Sequence, residues 1–319
     1  MRYDLLKTLE TVDEIWMPET RSLLIPNVFC APGLWVVIAA IAKSNKLLMS
    51  DIDIPYGRLT SYSSAIGLSA AIGEGDDFSY ERINDGRTYS PLILLADESA
   101  CDSATSSISG CIRNFTSTPD VDGIGELCQV IGEVYDNVWS HGKDTGFSCA
   151  QKYNCFESGE SVIEFALADR GYGFRAEMNR VGNKVGSDQE AIAWCIQEGN
   201  STKLADDEDE FQQRVPNDLI GGSPMGVNVP TKDTEANHQG LGLYKLISLV
   251  KEYSGTLSLA SGHSLMSMNS SGESHYMPIS YWQGVALSCR FKISDLQKIN
   301  NEVVLPEIEK IMGMLKGRR

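Results

Sequence analysis

The chain of 319 residues has no apolar run long enough to cross a bilayer. Its longest, Leu34 to Ala42, is less than half of the roughly 20 residues a spanning helix needs. Residues 1 to 20 alternate charged with apolar groups and lack the core of a signal peptide. Positive charge is also scarce: 27 Lys and Arg stand against 43 Asp and Glu, a formal net charge of −16. That balance opposes the phosphate attraction on which nucleic-acid binding rests. The eight cysteines include no C-x-x-C, and the closest pair, Cys149 and Cys155, has no histidine at zinc-site spacing. They read as reduced, mostly buried thiols, the alternative being a disulfide framework of the kind found in small secreted domains. These features lead to the expectation of a cytoplasmic protein with neither a membrane nor a nucleic acid as partner.

A hydrophobic content of 42% supplies a core, and a prior of about 150 residues per domain suggests two domains. The first 97 residues read as a small α/β unit. An apolar run at Leu23 to Pro26 and a helix-like run at Pro32 to Ala42 are followed by Lys46 to Ile54 and by Leu59 to Ile72. A break at Gly73 to Arg87 precedes a short apolar run, Pro91 to Ala96, which either closes this unit or leads into the next.

From Ile124 to Trp139 apolar residues recur at steps of three and four, with Asp120 or Asp122 as N-cap, and the spacing predicts a helix. Val162 to Ala168 is a strand-length run, and Leu241 to Tyr253 is helical with Leu243, Leu246, Ile247 and Val250 on one side. Near the end Val285, Leu287, Cys289, Phe291 and Ile293 alternate with Ala286, Ser288, Arg290 and Lys292. This period of two predicts a mostly antiparallel sheet backed by helices on one side. Two stretches, 199–239 and 261–280, read as long irregular segments. The C-terminal segment 297–319 places Ile308, Ile311, Met312 and Leu315 on one helical face, suited to docking on this chain or on a partner. No internal repeat or heptad seam is visible.

Three constellations carry candidate chemistry. On the first predicted helix Glu126, Gln129, Glu133, Asn137 and His141 form one polar stripe. A carboxylate beside an amide oxygen suits Mg²⁺ chemistry and the deprotonation of a nucleophile, whereas a solvated helix face is the plain alternative. Directly after the 162–168 strand comes Asp169-Arg170-Gly171-Tyr172-Gly173, where the glycines permit a close approach to a flat ligand and Asp169 offers an acceptor to an exocyclic amine. An ordinary turn has the same composition. Gly240-Leu241-Gly242-Leu243 opens the later helix, and free N–H groups at a helix N-terminus form a phosphate site, or else a hinge.

In this order, E-x-x-x-N on a helix, D-x-G-x-G after a strand and G-x-G before a helix resemble the N, G1 and G2 boxes of the GHKL ATPase superfamily. That superfamily includes gyrase B, MutL, chaperone ATPases, histidine kinases and anti-sigma-factor kinases. The resemblance covers residues 120 to 293. The run from Glu133 to Gly142, with His141 four positions after Asn137, is most like stand-alone and anti-sigma-type members. It implies a two-layer α/β sandwich over residues 98–296 that binds ATP and Mg²⁺, with a lid at about 200–239.

By the same resemblance Asn137 would hold Mg²⁺ and Glu133 would orient the attacking water or hydroxyl. Asp169 would bind the adenine amine, with Gly171 and Gly173 shaping the pocket and Gly240, Leu241 and Gly242 cradling phosphates. His141, Thr202 and Lys203 complete the implied contacts. The chain departs from the pattern at His238, which stands where a first glycine is common, and in the acidic cluster Asp206 to Glu210 within the lid. Residues 21 to 96 resemble STAS-like domains, but Phe29-Cys30-Ala31-Pro32-Gly33 occupies the place of a phosphoacceptor, so an interaction role is expected there.

The implied activity is an ATP-hydrolysing regulatory switch. The alternatives are a serine/threonine kinase of the anti-sigma type acting on a partner protein, and a nonenzymatic ATP sensor or assembly module in signalling or defence. A self-contained histidine kinase is disfavoured, because all four histidines lie within the ATPase-like region. A protein partner is expected; many members of the superfamily dimerise, which leaves a homodimer open.

Overall fold

The structure, a computed structural model, describes residues 2–116, 122–138, 145–155, 158–200 and 242–297. The first region contributes β1 (Arg2–Tyr3), α1 (Leu5–Glu10), α2 (Val12–Ile15), β2 (Trp16–Met17), β3 (Ser22–Leu24), β4 (Phe29–Cys30), α3 (Pro32–Ser44), β5 (Ile52–Asp53), α4 (Arg58–Ala65) and α5 (Leu68–Ile72). Then follow β6 (Ile93–Leu95), α6 (Glu98–Thr116), α7 (Asp122–Asn137), β7 (Gly146–Asn154), β8 (Ser161–Asp169), α8 (Phe174–Arg180) and α9 (Asp188–Cys195). The last described elements are α10 (Gly242–Glu252), β9 (Thr256–Met268), β10 (Ser274–Lys292) and α11 (Ile293–Leu296).

The central sheet has five strands in the order β6-β7-β8-β10-β9, and every neighbouring pair is antiparallel. The mixed α/β class and the antiparallel sheet agree with the sequence pattern. Because β6 pairs with β7, the apolar run at 91–96 leads into the second region. On one face, Ile163, Phe165, Leu167, Leu287, Cys289 and Phe291 pack beneath α6, α7 and α10 through Ile112, Phe115, Leu127, Ile131, Leu246 and Val250.

The sheet's other face is covered too, which corrects the expectation of helices on one side. Helix α3 is buried at every residue from Pro32 to Ala42, as a helix that is apolar all round must be. It shares a hydrophobic cluster with Ala166, Ala168, Ala260 and Ala286, and these small side chains let a helix lie close to the strands. Ala286 and Ser288, which alternate with the apolar row of β10, are both buried on this second face.

A second correction concerns 261–280, expected to be irregular. It forms most of the β9–β10 hairpin, turned at Asn269, whose Oδ1 accepts from the Ser271 and Glu273 amides at 3.0 and 3.1 Å. Leu265 packs in the cluster on the α3 side and Met266 in the cluster on the α7 side. A strand covered on both faces loses the period-two signal, and its Ser and Gly content then reads as loop.

The 19-residue helix α6 went unpredicted. Its buried face uses Cys101, Ala104, Ile108, Cys111, Ile112 and Phe115, spaced for a helix but diluted by serines. All eight cysteines are free thiols and six are buried, in line with the reduced reading. Among the described residues no helix is long and apolar enough to cross a membrane.

Candidate functional site

Helix α7 buries Ile124, Leu127, Cys128, Ile131, Val134, Tyr135 and Val138 against the sheet, so its polar stripe lies along the flank of that contact. Glu126 and Gln129 are exposed, but the stripe becomes enclosed toward the C-terminal end, where Asn137 is half-buried. The Glu133 side chain is only 11% exposed.

Two contacts define the surroundings of Glu133. Helix α10 begins at Gly242, and a Cβ added there would stand 3.1 Å from the Glu133 Cβ and 3.3 Å from its carbonyl carbon. A side chain there would make α7 or α10 give by a few tenths of an ångström, so glycine favours this close approach. One turn into α10, the Lys245 Nζ donates to Glu133 Oε1 at 2.5 Å. The second oxygen, Oε2, is buried and has no hydrogen-bond partner among the described residues. Buried carboxylate oxygens are rarely left so, because the lost hydration is not repaid.

Asp169 ends β8 on the same face of the sheet as Phe165 and Leu167 and is 2% exposed. Its Oδ1 accepts from the Gly171 amide at 2.8 Å and from the Val285 amide at 3.3 Å. The D-x-G-x-G turn is therefore anchored to β10 as well as to itself. Gly284 has φ +91°, and a Cβ there would come within 2.4 Å of the Asp169 carbonyl oxygen and 2.5 Å of its Oδ1. Gly173 (φ +73°) precedes α8, with Ser261 alongside. The Ser261 hydroxyl donates to the Gly284 carbonyl at 2.9 Å and accepts from the Phe174 amide at 3.1 Å.

The end of α7 and the end of β8 meet at Gly146, which is paired with Asp169 across the β7–β8 ladder. A Cβ on Gly146 would lie 2.8 Å from Val138 Cγ1, one residue beyond Asn137. Glu133, Asn137, Asp169, Gly171, Gly173 and Gly242 thus gather at one end of the layer between α7, α10 and the sheet. Of the other predicted site residues, His141, Thr202, Lys203, Gly240 and Leu241 lie outside the described residues, as do His238, lid residues 201–239 and the tail 298–319.

Sequence reasoning missed Lys245, Ser261 and Gly284. Lys245 carried a faint signal as a cation three residues into an otherwise apolar helix start, whereas the other two sat in segments without a readable pattern. Chemically, the arrangement offers a fixed acceptor at Asp169, an unshared carboxylate oxygen at Glu133, an amide oxygen at Asn137 and the N-terminus of an 11-residue helix. A carboxylate next to a neutral amide oxygen is a hard donor set compatible with Mg²⁺. Among the described residues no group of three or more His, Cys, Asp or Glu side chains forms a metal cage of its own. Comparison of the chain with family models, with curated proteins and with solved structures finds no match.

Proposed function

We propose that the chain is a GHKL-type module that binds Mg-ATP, hydrolyses it and acts as a nucleotide-dependent regulatory switch. The observation that carries this reading is the enclosed Glu133 carboxylate, with Oε2 unpartnered among the described residues, beside Gly242 at the start of α10. In this reading Glu133 Oε2 takes a proton from the water that attacks the terminal phosphate. Amides at the start of α10 face the phosphates, where the helix dipole favours negative charge. The Asp169 carboxylate, its direction set by the Gly171 and Val285 amides, accepts a hydrogen bond from the adenine amine. Asn137 would contribute an oxygen ligand to Mg²⁺, which would supply neutralising charge along the phosphate chain.

A switch also needs a route out of the pocket. The residue after Asp169, Arg170, places its guanidinium 4.8 Å from the ring centroid of Trp282, and Trp282 belongs to the cluster shared with α3. Nucleotide at Asp169 would therefore act on the packing of the first region and on a protein partner held there.

The test is release of ADP and free phosphate by the purified chain with Mg²⁺, in wild type and in Glu133→Ala. Turnover lost in the variant and lost on chelation of Mg²⁺ supports the reading. Persistent turnover in Glu133→Ala overturns the role of Glu133. Nucleotide binding without free phosphate overturns autonomous hydrolysis and moves the assay to phosphate transfer onto a partner protein.

A further inference from the structure

We infer that Lys245 is a positioning residue for Glu133, holding one carboxylate oxygen so that the other is presented for proton transfer. This rests on the ATPase reading and names a part of the site that no motif includes. The carboxylate is divided in its surroundings: Oε1 takes the Lys245 ammonium at 2.5 Å, and Oε2 is buried with no hydrogen bond among the described residues.

A purely structural ion pair does not require that division. Exposed pairs contribute little, and a buried carboxylate is costly unless both oxygens are satisfied. The two partners are 112 residues apart in sequence and belong to different helices, α7 and α10. Gly242 is the element that permits the approach, because a side chain there would press on Glu133. Being partly exposed at 31%, the Lys245 side chain lies at the rim and Glu133 lies deeper. The ammonium thus fixes the rotation of the carboxylate and offsets its charge, so that a carboxylate base can share a pocket with a polyanion. A base misaligned by about 1 Å costs on the order of a hundredfold in rate.

The experiment compares wild type, Lys245→Met, Lys245→Arg, Glu133→Ala and the double variant Glu133→Ala/Lys245→Met. It measures steady-state ATP turnover, binding of a non-hydrolysable ATP analogue and thermal unfolding with and without that analogue. Lys245→Met is expected to keep analogue binding and the ligand-induced rise in Tm while kcat falls about 10- to 100-fold with little change in KM. Lys245→Arg is expected to restore most of kcat, and Lys245→Met is expected to have no further effect in the Glu133→Ala background.

Unchanged or faster turnover in a folded, analogue-binding Lys245→Met overturns the inference, and a faster rate would mark the pair as a restraint. Failure of Lys245→Arg to rescue, or an equal loss in the Glu133→Ala background, also overturns it. A wild type that neither binds the analogue nor releases phosphate overturns the ATPase reading itself, and this inference with it.

Discussion

Gly242 and Glu133 touch so closely that a methyl group on Gly242 would stand 3.1 Å from the Glu133 Cβ, tighter than packed carbons ordinarily tolerate. The absence of one side chain on α10 thereby sets how near Lys245 comes to its carboxylate.

Gly242→Ala is accordingly expected to push α10 off α7. Overpacking of this kind costs about 1–3 kcal/mol, to be read from urea denaturation. Turnover should fall by more than the population of folded protein does, because the Lys245–Glu133 pair is stretched. Loss of stability with full activity per folded molecule would contradict the geometry.

Asp169→Asn separates folding from recognition. The asparagine oxygen still accepts from the Gly171 and Val285 amides, so the midpoint of urea unfolding should move little. Nucleotide affinity, followed with a fluorescent ATP analogue, should drop about 10- to 100-fold, the worth of a hydrogen bond to a charged acceptor. Asp169→Ala should lose affinity and about 1–3 kcal/mol of stability as well, because two amides lose their acceptor.

Gly284→Ala tests the cradle around Asp169 from the opposite side. With φ +91° and a would-be Cβ 2.4 Å from a backbone oxygen, strain and overlap combine to about 2–4 kcal/mol. Circular dichroism melts should show a large fall in Tm. A wild-type Tm would mean that β10 does not approach Asp169 as described.

A titration away from the candidate site supplies a fourth test. Glu164 is buried, accepts from the Tyr153 hydroxyl at 2.5 Å and from the Ser288 hydroxyl at 3.1 Å, and is paired with Arg290 in the β8–β10 register. Burial pushes its carboxyl up from the ordinary value, against the lowering effect of the Tyr153 hydrogen bond and of the Arg2 and Arg290 charges. A raised value means the folded state binds the proton more tightly than the unfolded chain. Glu164 therefore favours the fold most below about pH 4.5, and that contribution is lost as pH rises through the folded value. Glu164→Gln keeps an acceptor for Tyr153 and should flatten this part of the profile of urea midpoint against pH. An unaltered slope would show that Glu164 binds its proton equally well in the folded and the unfolded chain.

Much of the site's frame is written locally. The α7 stripe follows from a 3.6-residue period, and β8 is an apolar run broken by Glu164 that ends at Asp169 and two glycines, so element and motif could be read together. What was not legible has physical causes. Helix α6 buries the small side chains of Cys101, Ala104 and Cys111 among serines, which blur its apolar face. The β9–β10 hairpin is covered on both sides, which erases alternation, and the second covered face of the sheet depends on alanines that read as neutral wherever they fall.

The order of residues by itself determined the helices and strands that repeat with a clear period, and the glycines and carboxylates those elements must carry, because periodicity and turn chemistry act over a few residues. Only the tertiary structure decided that α3 is sealed against the sheet and that Gly284 closes on Asp169. It also decided that Lys245 meets Glu133 across 112 residues of chain. Such contacts depend on how closely separate elements can pack, and that distance is set jointly by side chains that are remote from one another in the sequence.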